Sequence, residues 1–88
     1  MLRADDWSRA SALEAIARAD AKAGLIEEAL RLAHMISDDW MRASTLVDVV
    51  AAQAKARRTK EALELAQTIR SEFRRVQALR LVAEAIPE

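Results

Sequence analysis

Two acidic pairs, Asp5-Asp6 and Asp38-Asp39, one histidine, His34, and a run of cations in Lys55-Ala56-Arg57-Arg58-Thr59-Lys60 are the groups of this 88-residue chain that chemistry would use first. Paired carboxylates hold divalent cations when further oxygen ligands alternate around a glycine-containing loop, and neither pair sits in such a loop. Helix capping is the simpler use of both. Catalysis by His34 would need a positioned nucleophile or carboxylate, and the chain carries no Ser/His/Asp pattern, no glycine-rich phosphate loop and no His-x-x-x-His spacing. There is no cysteine, so thiolate metal sites and disulfides are excluded. We therefore assign no catalytic residue, no cofactor and no metal ligand, and expect no enzyme.

Recognition by charge or by stacking is the other chemistry open to it. Arg57, Arg58 and Lys60 in the run above, with Arg74 and Arg75 in a second cluster that begins at Arg70, are candidate partner-binding residues, because basic patches attract phosphate backbones and acidic partners. The formal net charge is zero, against the strongly basic balance of a nucleic-acid binder, so nucleic acid stands only as an alternative partner. Trp7, Trp40 and Phe73 are 33 residues apart. A row of aromatics could stack bases or sugar rings, but one ring in every unit of a repeat is expected to fill the joint between units, together with Leu13, Leu46 and Leu79. Arg9, Arg42 and Arg75 repeat likewise. Each follows an acidic residue by three or four positions (Asp5 or Asp6, Asp38 or Asp39, Glu72), as in a helical ion pair.

These coincidences come from an internal repeat. Asp5–Ser37 aligned with Asp38–Arg70 gives 17 identities in 33 positions, and a third copy begins at Ser71 and stops near its middle. Apolar residues recur at helical spacing, as in Trp40, Ala43, Leu46, Val47 and Val50, then Ala62, Leu63, Ala66 and Ile69. Strong helix formers fill nearly every window, with one Gly and one Pro in the chain. The expectation is one all-α domain, 1–88, with repeat one at 5–37, repeat two at 38–70 and a half repeat or capping helix at 71–88. Asp5/Asp6, Ser37/Asp38 and Ser71 start the first helix of each unit, Gly24 stops one, and Pro87 ends the last. The predicted helices span about 6–23, 26–36, 39–56, 60–70 and 72–86.

A single hairpin of this kind has one hydrophobic face and needs neighbours to cover it. The last helix carries Arg74, Gln77, Arg80 and Glu84 on its outer side, as a cap should. The first hairpin has no such cover, which leads us to expect self-association as a dimer. Arg57-Arg58 stands where the first unit has Gly24-Leu25. Unless Thr59 caps the following helix, residues 39–70 would run as one helix and swap hairpins between chains. With no run of about 18 apolar residues and an acidic start, no membrane span or signal peptide is expected, and a cytoplasmic chain is the working assumption.

The unit resembles a tetratricopeptide-type repeat. Leu13, Ile16 and Ala17 fall near the large-large-small signature of that family's first helix, and Glu28-Ala29-Leu30 and Glu61-Ala62-Leu63 near its second-helix signature. The resemblance covers 5–86. It departs in its period of 33 rather than 34, in Asp20 and Gln53 where an aromatic is usual, in Val50 and Arg57, and in lacking the proline between units; a HEAT or armadillo kind of α-solenoid remains open. The resemblance implies a right-handed stack of antiparallel helical hairpins that binds protein or peptide. A protein-interaction or assembly scaffold, self-associating, is thus the expected function. Nucleic-acid or acidic-partner binding through Lys55–Lys60 and Arg70–Arg75, and a designed or reconstructed scaffold without a ligand, are the alternatives.

Overall fold

Each 33-residue unit builds the same two helices and the same turns. A computed structural model describes residues 4–86, with side chains from Trp7 onward. Pro87 and the side chains of Asp5 and Asp6, including their pairing with Arg9, lie outside the described residues. The helices are α1 (Ala4–Lys22), α2 (Ile26–His34), α3 (Asp39–Lys55), α4 (Thr59–Gln67) and α5 (Glu72–Ala85). The repeat is visible atom by atom. Asp38 Oδ1 accepts from the Met41 N–H at 2.8 Å and Ser71 Oγ from the Arg74 N–H at 3.2 Å, capping α3 and α5 at equivalent positions.

The break between α3 and α4 survives without glycine. Gly24 has φ 83° and Arg57 φ 64°, both left-handed. In each turn the same two hydrogen bonds close the helix end: Gly24 N–H to Ala21 O and Leu25 N–H to Asp20 O in the first, Arg57 N–H to Ala54 O and Arg58 N–H to Gln53 O in the second. Residues 39–70 are therefore two helices, and the single long helix considered above is not formed. Thr59 is the first residue of α4 rather than its cap; the capping position is Arg58, whose side chain makes no cap bond. What holds the second turn instead is packing, since Ala62, Ala66 and Ile69 beyond it are almost fully buried.

The short helices end two or three residues earlier than the apolar pattern suggests. Ile36 and Ile69 each donate to the carbonyl three residues back, tightening the exit and driving both side chains into the core. Arg42 Nη1 donates to Ile36 O at 2.9 Å and Arg75 Nη1 to Ile69 O at 3.1 Å. Carbonyl capture is thus the shared role of the repeated arginine. Arg42 also pairs with Asp39, as the spacing predicts.

Among the described residues five helices stack as two antiparallel hairpins and a closing helix, an all-α fold. Helices α1, α3 and α5 lie in one row; α2 packs on α1 and α3, and α4 on α3 and α5. The Cα extents, 48 × 27 × 14 Å, are those of an elongated slab about two helices thick. One core group joins Leu46, Val47, Val50, Ala62, Ala66 and Ile69 to Ala78 and Val82 of α5. Two smaller ones seat Val49 on Ala21, Ile26 and Ala29, and Met41 on Ala10, Ile36 and Leu13. Asp20 and Gln53, equivalent in the repeat, each leave one buried side-chain oxygen without a partner among the described residues. No described helix is long and apolar enough to cross a membrane.

Candidate functional site

The rings expected in the joints are outside them. Trp7 is 56% exposed, Trp40 66% and Phe73 69%, although Leu46 is buried and Leu13 and Leu79 are half-buried as joint residues. The reason is helical phase. From Trp40, steps of four, eight, eleven and fifteen reach Ser44, Asp48, Ala51 and Lys55, none of them buried; from Trp7 the same steps reach Ser11, Ala15, Arg18 and Lys22, all exposed. Trp7 and Trp40 each head a row without a buried side chain, and the joints are filled by Ala, Val, Leu, Ile and Met, which let the helices approach more closely than indole would.

The rows lie side by side on one face made by α1, α3 and α5. Arg18 on the α1 row donates through Nε to Asp48 Oδ2 on the α3 row at 2.6 Å, and this bond is the largest cause holding the Arg18 guanidinium above its ordinary value. At the aromatic edge, Arg74 places its guanidinium carbon 5.2 Å from the centre of the Trp40 ring and 5.3 Å from that of Phe73. The cation lies between two exposed aromatic faces. Its Nη1 donates to Gln77 Oε1 at 2.9 Å, while its buried Nε has no partner among the described residues. Beside Trp40 a cleft of about 690 Å³ is lined by residues that include His34, Arg42, Leu46, Ile69 and Arg70.

Arg57, Arg58 and Lys60 do not join this edge. They lie at the start of α4 and Arg70, Arg74 and Arg75 beyond its end, so the length of a nine-residue helix, about 13 Å, separates the two clusters. Arg58 Nη1 is bound to Glu27 Oε2 at 2.5 Å and lies 3.8 Å from Glu61, and Arg75 is turned onto Ile69 O. The hydrogen bond with Glu27 raises the Arg58 pKa and lowers that of Glu27. Among the described residues these cations form no continuous basic surface. Among the described residues no group of three His, Asp or Glu side chains is placed to hold a metal ion.

What the arrangement can do chemically is offer flat aromatic area and guanidinium donors on a rigid helical face. Sequence reasoning found every residue of this edge and misplaced three, the rings. The signal that would have placed them is the Ser-Asp-Ala-Lys row trailing Trp40 and the Ser-Ala-Arg-Lys row trailing Trp7. Comparison with protein-family models, with curated proteins and with solved structures gives no match to this chain.

Proposed function

We propose that the protein is a helical-repeat binding module, tetratricopeptide-like in its arrangement, that docks an extended acidic segment of another polypeptide along the Trp7–Trp40–Phe73 edge. The observation that carries this reading is the repeated exposure of a large ring at one position in all three units. Exposed Trp and Phe beside arginine are the side chains that dominate binding energy at protein interfaces, and each keeps few rotamers to lose on binding. The exposed Arg70, which lines the cleft beside Trp40, supplies donors for carboxylates at the same edge. The layering, with α1, α3 and α5 in one row and α2 and α4 wedged behind, supports the tetratricopeptide-like reading.

A panel of synthetic acidic peptides bearing Phe, Leu or Trp, titrated against the chain, tests it. Peptides that bind should do so at micromolar concentration, and Trp40→Ala or Arg74→Ala should weaken them by about tenfold or more, a loss of about 1.4 kcal/mol. Failure of every peptide below millimolar concentration, or indifference to both substitutions, contradicts the reading. A mixed-sequence single-stranded DNA that binds more tightly than any peptide would instead identify the edge as a base-stacking platform.

A further inference from the structure

A second surface, where α2 and α4 both rest on α3, carries an inference that does not depend on the aromatic edge. A cleft of about 340 Å³ opens there between the two short helices. Leu30 and Leu65, both half-buried, pack against the same two core groups, so the seam between repeats one and two reaches the surface along them. From α4 the cleft takes Glu61, Glu64, Leu65 and Thr68, a single helical stripe, and from α2 it takes Ile26, Glu27 and Leu30. Its rim is thus three carboxylates above an aliphatic floor, and none of its lining residues is a cation.

Two further observations state what such a rim would hold. The chain's own Arg58 already reaches across it: Nη1 donates to Glu27 Oε2 at 2.5 Å and lies 3.8 Å from Glu61, so a guanidinium bridges the two walls near the start of α4. Glu64, almost one turn further along, has no ion-pair partner among the described residues. Gln53 supplies the other observation. It lines the cleft from α3 and is 5% exposed, and its buried Oε1 accepts no hydrogen bond among the described residues. A buried amide oxygen without a donor is uncommon and costly, and an N–H group entering the cleft would relieve it.

We propose that this cleft takes an arginine side chain of a partner polypeptide. The guanidinium donates to Glu64 and to Gln53 Oε1, and the methylene stem lies on Leu30 and Leu65. Arginine rather than lysine follows from having two separate acceptors, which a planar fork of donors serves in fixed directions and a compact ammonium does not.

Titration of the full chain with the blocked peptide Ala-Leu-Arg-Leu-Ala, read by calorimetry and by amide NMR signals, tests the proposal. The dissociation constant should lie below about 1 mM, with shifts at the Gln53 side-chain amide and at Leu30 and Leu65. Citrulline in place of the peptide's arginine keeps the shape and loses the charge, and it should weaken binding at least about tenfold; free guanidinium ion, without the stem, should be weaker than the peptide by as much. Glu64→Gln, at an exposed site, should weaken the peptide about fivefold or more, and Gln53→Leu should weaken it with helicity unchanged. Trp40→Ala should leave it unaltered, which separates this cleft from the aromatic edge. Absence of binding, equal binding of the citrulline peptide, of a lysine peptide or of free guanidinium, indifference to Glu64→Gln, or shifts confined to the Trp7–Trp40–Phe73 edge overturns the proposal.

Discussion

Arg57 shows at the scale of one residue how a repeat holds a shape that its local sequence disfavours. Its left-handed φ of 64° is the conformation that glycine adopts at position 24, and a Cβ makes it cost about 1 kcal/mol or more. Arg57→Gly should therefore raise stability by about 0.5 to 1 kcal/mol, part of the gain being offset by the freer unfolded chain. A lower denaturant midpoint in that variant would contradict this account of the turn. Beside it, the Arg58 guanidinium holds the Glu27 carboxyl below its ordinary value of 4.5. A depressed folded-state value means that the pair contributes stability above the unfolded-state value and loses it as pH falls through the folded-state value. Stability should thus decline between about pH 5 and pH 3 less steeply in Glu27→Gln than in the parent, a small difference at so exposed a pair that salt should shrink further.

Elements were the most legible level. The starts of α3 and α5 could be read from Asp38 and Ser71 because a short oxygen before an apolar helical pattern has one economical use, and both side chains cap as expected. Asp38→Ala should cost about 1 kcal/mol, with Ser71→Ala adding a similar, independent loss. Chemical denaturation of the double variant checks that additivity. Two things were not legible. The break at Arg57 depends on Ala62, Ala66 and Ile69 finding their places in the core, a tertiary gain that no local signal announces. The aromatic rings were misplaced because residue type was weighed above helical phase: Trp40 precedes Ala43 and Leu46 at core-like spacing, but it also heads a row of Ser44, Asp48, Ala51 and Lys55.

Over the whole molecule, the joints and the outer face differ in the side chains they carry. The stack is held by small aliphatic joints and leaves its largest side chains free, which is the reverse of what a protein does when aromatics serve its core. That inversion is the central claim, and the candidate site follows from it: an edge of Trp7, Trp40 and Phe73 bridged in its second half by Arg74, on a face that α1, α3 and α5 keep rigid. Residue types, charge balance and period disclosed the participants of this edge, while their side of the helix needed the packed structure, because aliphatic side chains one helical step away fill the joints. Equilibrium unfolding of Trp40→Ala beside Ile69→Ala tests the claim most directly, since both residues border the same cleft. The account predicts that Ile69→Ala loses about 2 to 5 kcal/mol and Trp40→Ala less than about 1 kcal/mol, the share of its contact with Arg74. A loss of about 3 kcal/mol or more in Trp40→Ala would return the ring to the core and contradict it.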